Sequence, residues 1–182
     1  MIMSDEAIRA AIYTHEISVE PDVRHADIRG VGLRVYLGED LLIPVLSDEE
    51  IDLVSLKDVE FTRHRMDVSG YRIEGHCYVL ACTREKIRTN GNIVCRIDGR
   101  SSVARIGLFV HCSSTTVDNV REGARTVVLE LFNCNRRPVR IRPGLPIAML
   151  TFERLEGHIQ QPDSRQYADQ QQLLPPRPSI RI

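Results

Sequence analysis

The stretch "TVVLELFN", residues 126–133, decides the fold. Side chains alternate along an extended chain, so Val128, Glu130 and Phe132 share one face while Leu129 and Leu131 share the other, the period of a strand and not of a helix. Similar runs rich in valine, isoleucine, leucine and aromatics recur: "GVGLRVYLG" (30–38), "HCYVLACT" (76–83), "NIVCRID" (92–98), "GLFVHCS" (107–113), "PVRIR" (138–142) and "PIAMLTFE" (146–153). Turn formers stand between them, among them Thr89-Asn90-Gly91, Asn119, Gly123 and Pro143-Gly144. No second long helical pattern interrupts the series, so the spacing predicts a mainly β fold, a sandwich or barrel, with one terminal helix.

That helix lies in "MSDEAIRAAIYTHEI" (3–17). Ser4 can cap it, Asp5 and Glu6 suit the positive end of its dipole, and Ile8, Ala11 and Ile12 share a face. Residues 46–70 are charged and read equally as helix, hairpin or loop. The tail, "QQPDSRQYADQQQLLPPRPSIRI" (160–182), is glutamine-rich and then proline-rich, too poor in apolar periodicity to form core. It reads either as a disordered end or as a flap that orders over a ligand or a neighbouring subunit.

At 182 residues with 42% hydrophobic content the chain can bury one substantial core, so a single domain over 1–182 is expected. Its parts are a helical region (1–20), a β-barrel (21–157) and a tail (158–182). The net charge of −1 offers no basic field of the kind that draws nucleic acid, so any anion site must be local. Cys77, Cys82, Cys95, Cys112 and Cys134 form an odd set without a C-x-x-C pair, which fits a reducing cytoplasm. No leader pattern is present, and no window approaches the roughly 18 apolar residues of a membrane span. A soluble cytoplasmic protein with neither nucleic-acid nor membrane partners is expected.

Two stretches could carry chemistry. In "GRSSVAR" (99–105), Gly99 permits a tight turn, Ser101 and Ser102 bring hydroxyl and backbone donors, and Arg100 and Arg105 bring planar guanidinium forks matched to phosphate oxygens. The same residues would serve as a serine-capped turn with two surface arginines. Glu130 sits in the middle of an apolar strand, where it either pairs with an arginine or occupies a pocket that raises its pKa and fits it for proton transfer.

Other signals are weaker. The zinc-deaminase pattern, His-x-Glu followed by Pro-Cys-x-x-Cys, is absent, and the histidines show no ligand spacing. His111 and Cys112 are neighbours on a strand and so point to opposite faces, which favours a structural histidine over a catalytic dyad. Arg136, Arg137, Arg140 and Arg142 read as a charged strand edge.

Taken in order, "GRSSVARIGLFVH", Asp118 in a hairpin, "VVLELFN", "RIRPGLPIAMLTFERLEG" and "QYADQQ" resemble the dCTP deaminase branch of the dUTPase superfamily. The N-terminal helix and "VGLRVYLG" also look like that family's. The resemblance implies a distorted β-barrel or jelly-roll in a homotrimer whose sites are built from more than one chain. It implies that Arg100, Ser101, Ser102 and Arg105 hold a triphosphate, with Mg2+ shared among its oxygens. Asp118 would lie at the sugar, with Ser113 and Ser114 in the hairpin around sugar and base. Glu130 would be a zinc-independent general base, and Tyr167 and Gln171 would belong to a closing C-terminal flap.

The match breaks in the hairpin. Ser113 and Ser114 replace a usual Thr-Ala, Asn119 and Val120 replace Pro-Gly, and Arg121 replaces an aromatic residue. The interval from Asp118 to Glu130 is about two residues longer, which remodels the hairpin. Gln166 stands where a lysine often precedes the tail tyrosine. The resemblance implies dCTP deamination first, and dUTP cleavage, alone or coupled to deamination, second. A regulatory homologue that binds nucleotide without turnover is the third reading.

Overall fold

Residues 1–56, 59–117, 123–160, 167 and 172–177 are described by a computed structural model. Ser4 caps helix α1 (Asp5–Tyr13), its hydroxyl accepting from the Ala7 N–H, and Arg9 pairs with Asp5 at 2.8 Å. Ile8 and Ala11 are buried as the periodicity requires, and the chain then enters β1 (Ile17–Glu20).

The strands that follow are β2 (Ile28–Arg29), β3 (Gly32–Pro44), β4 (Phe61–Arg65), β5 (Tyr71–Ile73), β6 (Tyr78–Thr89) and β7 (Ile93–Gly99). A short helix, α2 (Ser101–Ala104), precedes β8 (Leu108–Phe109), β9 (Thr116–Val117), β10 (Arg125–Asn133), β11 (Val139–Ile141) and β12 (Pro146–Arg154). Ten of these strands form one curled, half-barrel sheet whose main path runs β8-β10-β6-β3-β12-β7-β9, while β5 and β11 make a separate two-stranded ribbon.

The curl comes from β3. Its first half pairs with β12 (Leu33↔Leu150, Tyr36↔Pro146), and its second half pairs with β6 (Leu42↔Leu80) and β4 (Ile43↔Thr62). A register shift between Leu37 and Leu41 separates the halves, so one strand serves two layers that fold toward each other. The enclosed core includes Leu33, Ile97, Leu129, Leu131 and Phe152, each essentially without solvent contact. Each such side chain contributes about 1.5–3 kcal/mol of hydrophobic stabilisation. A smaller cluster lies outside it, on Leu42, Leu80, Cys82 and Leu173, with Phe61 and Val128 packed against it.

Asn133 pins the far end of β10. Fully buried, its amide nitrogen donates to the carbonyls of Ile73, Glu74 and Arg137, and its side-chain oxygen accepts from the Asn135 N–H. Asn135 in turn donates to the Ile106 carbonyl at 2.5 Å, tying the chain behind α2 to the end of β10. Gly107 closes this joint with φ +74, and a Cβ there would lie 2.8 Å from the Asn135 amide nitrogen, so only glycine fits without displacement.

Of the ambiguous 46–70 stretch, β4 resolves the later part as a strand paired with β3, while Leu46, Ile51 and Leu53 lie exposed in the preceding loop. The run at 107–113 is strand only at Leu108–Phe109, because beyond Phe109, opposite Phe132, the chain leaves the ladder.

Candidate functional site

The stretch expected as a turn is one turn of helix. Arg100 is extended (φ −78, ψ 138) and its carbonyl accepts from the Val103 and Ala104 N–H groups, while the Arg105 N–H bonds to the Ser101 carbonyl. Val103 packs on the core, which turns Ser101, Ser102 and Arg105 to solvent. The Ser101 and Ser102 N–H groups belong to the open first turn, where helix geometry provides no intrahelical acceptor. The Arg100 guanidinium is held by the Pro146 carbonyl at 2.8 Å, at the start of β12. Ser101, Ser102 and Arg105 therefore present hydroxyl, backbone and guanidinium donors on one exposed turn, residue types suited to an anion, while the Arg100 guanidinium is engaged with β12.

Glu130 points away from the main core, on the outer face of β10. Leu80 stands opposite it on β6, and Val128 and Phe132 flank it on the same face. The rings of Phe132 and Phe109 lie 6.4 Å apart beside it. The Cys112 N–H donates to Glu130 Oε2 at 3.4 Å, and the Cys112 thiol reaches the Glu130 carbonyl at 3.5 Å. Burial among these apolar neighbours pushes the carboxyl pKa above its ordinary 4.5, against the smaller opposing pull of hydrogen bonds from the Cys112 and Glu130 N–H groups and of His111. Among the described residues no arginine pairs with Glu130. Its surroundings are apolar and half-buried, not those of an arginine pair among the described residues.

Just past Cys112 the chain turns sharply, with Ser113 at φ +110, a left-handed value that L residues adopt only under constraint. Ser113 and Ser114 are exposed on this turn. Asp118 and Gln171 lie outside the described residues. Tyr167 is held by its backbone and its hydroxyl: its carbonyl accepts from Arg125 Nη1 at 3.1 Å and its hydroxyl from the Arg177 N–H at 2.9 Å.

The structure thus brings Glu130 and Cys112 together. It joins the arginine–serine turn to the same end of the sheet through Asn135, without a hydrogen bond or ion pair between that turn and Glu130 among the described residues. Those residues contain no group of three His, Cys, Asp or Glu side chains able to hold a metal ion.

The dCTP deaminase-like family model matches residues 2–155. The chain belongs to the dCTP deaminase-like family. The protein named dCTP deaminase, dUMP-forming, from Persephonella marina is 32% identical to this dCTP deaminase-like chain over 175 residues, 93% of each. The dCTP deaminase of Shewanella amazonensis is 31% identical over 193 residues, 97% of each. Among solved structures, the 2'-deoxycytidine 5'-triphosphate deaminase of Agrobacterium tumefaciens superposes with a TM-score of 0.58 at 18% identity. That likeness, which concerns the fold, covers 83% of this chain and 47% of that one.

Three features of this dCTP deaminase-like chain were not singled out from sequence. The Cys112 backbone donor is not legible because a contact between a loop N–H and a distant carboxylate is not written in residue type. Arg125 carries no motif of its own in the sequence. Leu173 belongs to the apolar pair in "QQQLLPPRP", a signal too short to predict packing.

Proposed function

We propose that the chain hydrolyses dCTP to dUTP and ammonia, with Glu130 as the general base. The observation that carries this reading is a half-buried carboxylate with a raised pKa, without an arginine partner among the described residues, on the apolar strand of a dCTP deaminase-like fold. A base whose pKa is lifted toward the working pH accepts a proton and gives it back readily. Glu130 takes a proton from water as the oxygen bonds to the amino-bearing carbon of the cytosine ring. It then returns a proton to the amino nitrogen, the C–N bond breaks and ammonia leaves; the water's other proton ends on ring N3. The Cys112 N–H fixes the orientation of the carboxylate through these steps.

In this reading Arg100, Ser101, Ser102 and Arg105 hold the triphosphate. Guanidinium, hydroxyl and N–H groups suit an anion and not a bare cation, so Mg2+ would arrive on the phosphate oxygens and neutralise their charge. Asp118, Ser113 and Ser114 would contact sugar and base, and Tyr167 and Gln171 would close over the nucleotide. One barrel domain over 1–182, assembled as a cytoplasmic homotrimer that completes each site, fits this arrangement.

A second reading, deamination coupled to loss of pyrophosphate, is favoured by the resemblance to the dUMP-forming relative. Purified protein incubated with dCTP or dUTP and magnesium, with ammonia and pyrophosphate assayed separately, tests both. Ammonia alone supports deamination to dUTP. Both products from dCTP support the coupled reaction. Nucleotide binding without either product overturns both in favour of a regulatory homologue.

A further inference from the structure

Six arginines stand on two segments that carry no acidic residue: Arg100 and Arg105 on 99–113, and Arg136, Arg137, Arg140 and Arg142 on 134–146. The four of the second segment are exposed, and among the described residues none of them pairs with a carboxylate. On the ribbon of β5 and β11, Arg140 stands opposite Arg72 in register, and like charges directly opposite destabilise a strand pair. Glu74 neutralises Arg72 at 2.8 Å. Arg140 is left with the Ser69 carbonyl and, among the described residues, no counter-charge.

The two segments are fastened to each other. Asn135, next to Arg136, holds the carbonyl of Ile106, next to Arg105, and the Cys134 N–H donates to the Gly107 carbonyl. From the other side Arg100 bonds to the Pro146 carbonyl, and a turn closed by the Leu145 N–H on the Arg142 carbonyl brings Arg142 near that point. Chain steps across the Asn135–Ile106 bond put the backbones of Arg136 and Arg105 within roughly 16 Å of each other. The platform is also stiff. The Arg137 carbonyl is held by Asn133, and a Cβ on Gly75 would lie 2.5 Å from the Arg136 carbonyl oxygen, so this loop rests directly on backbone.

We propose that Arg136, Arg137 and Arg140 form an approach surface for polyphosphate, drawing a nucleoside triphosphate toward the arginine–serine turn without joining its final contacts. The proposal rests on the reading that this turn holds the triphosphate. A field of one sign beside a binding site raises the local concentration of an oppositely charged ligand, and its reach is the Debye length, about 30 Å at 0.01 M salt and about 10 Å at 0.1 M. The span between Arg136 and the turn falls inside the first length and beyond the second. Attraction should therefore be strong at low salt and fade as salt rises. A field acts through charge alone, so lysine can replace arginine in it, whereas a forked guanidinium contact would not survive that exchange. Arg142 is set apart, because its stem lies against Gly70 and serves the turn beneath it.

The test is calorimetric titration with dCTP at about 20 mM and about 500 mM sodium chloride, in the full-length Glu130→Gln protein so that no ligand is consumed. Arg136, Arg137 and Arg140 are changed together to glutamine, and together to lysine. A double Arg136→Gln, Arg137→Gln variant spares the bond to Ser69 and stands in if the triple fails to fold. The glutamine triple should weaken dCTP binding about tenfold at low salt and less than about twofold at high salt, while the lysine triple binds as its parent does. The double should show a smaller loss with the same salt dependence. Unchanged affinity at low salt in the folded glutamine variants, with dCTP still weakened by Arg105→Ala, would overturn the approach surface and leave the triphosphate reading standing. A loss that persists at high salt, or that lysine does not restore, would overturn it in favour of direct contacts. Salt-linked losses without any effect of Arg105→Ala, or a parent that binds no dCTP, would overturn the triphosphate reading and the proposal with it.

Discussion

The backbone N–H of Cys112 lies 3.4 Å from the Glu130 carboxylate, and the Cys112 thiol reaches the Glu130 carbonyl. This pairing joins the segment after β8 to β10 without introducing an opposing charge. A guanidinium in the same place would stabilise the ionised form and hold the carboxyl low; an amide N–H orients it and leaves burial to dominate.

Replacing the base should therefore cost activity and gain stability. Glu130 is held in a site that disfavours its charge, so its folded pKa lies above its unfolded one, and the stability it contributes is lost as pH rises through the folded value. Glu130→Gln should abolish ammonia release, keep nucleotide binding, and raise Tm at pH 8 relative to wild type. The Tm difference should close as the pH falls toward 4.5, where wild-type Glu130 is itself protonated. Calorimetry at pH 8 and pH 5 checks it; a lower Tm for Glu130→Gln at pH 8 would place the carboxylate in a stabilising ion pair.

The same shift sets the pH profile. A general base works when deprotonated, so kcat/KM should fall on the acid side with a midpoint above that of an ordinary glutamate at 4.5. The profile should be read with dCTP and magnesium across pH 4 to 9, with circular dichroism to exclude unfolding. A limb at or below the ordinary value would rule out a dry carboxylate as the base.

The face of Glu130 was legible in the sequence because strand alternation is local: Val128, Glu130 and Phe132 turn outward, and Leu129 and Leu131 are buried. Whether Glu130 met an arginine was not, since that depends on which strands flank β10. Helix α2 was read as a turn because four residues are too few to show a helical period. The early end of β8 escaped for a related reason: "FVHCS" stays apolar although its chain leaves the ladder to turn at Ser113. Leu173 was invisible because a single leucine gains meaning only from the cluster it enters.

Asn133 makes a prediction that links fold to site. Asn133→Ala would leave the carbonyls of Ile73, Glu74 and Arg137 without their shared donor and the Asn135 N–H without its acceptor, at a cost of about 3 kcal/mol or more. Because Asn135 also holds the Ile106 carbonyl, the arginine–serine turn should loosen with it. Urea unfolding should show the lost stability, and dCTP affinity measured below the transition should fall. Unchanged affinity would separate the turn from this joint.

Arg105 is exposed and Arg100 is fastened to the Pro146 carbonyl, so the two arginines should differ under substitution. Arg105→Ala should weaken dCTP binding by about ten- to a hundredfold, the loss of one or two charge-assisted hydrogen bonds, while leaving Tm and deoxycytidine binding unchanged. Arg100→Ala should weaken dCTP similarly and also lower Tm, because β12 loses its tether. Calorimetric titration with dCTP and deoxycytidine distinguishes them. Equal dCTP affinity in Arg105→Ala would remove that residue from the triphosphate site.

Asp27 should contribute to the acid limit of the fold. It is buried against Arg24, Arg34 and the Tyr36 hydroxyl, which donates to it at 2.5 Å. Burial alone would raise its pKa, but the hydrogen bonds from Arg24 and Tyr36 and the two positive charges together outweigh it, and the carboxyl is held below its ordinary 3.8. A depressed folded pKa contributes stability that is present above the unfolded value and is lost as pH falls through the folded one. Wild type should therefore lose stability steeply below pH 3.8, and Asp27→Asn, less stable at pH 7, should lose less over that interval. Urea midpoints at pH 7 and pH 3 measure the difference. An identical acid loss in both proteins would assign the limit to other carboxylates and leave Asp27 a structural acceptor only.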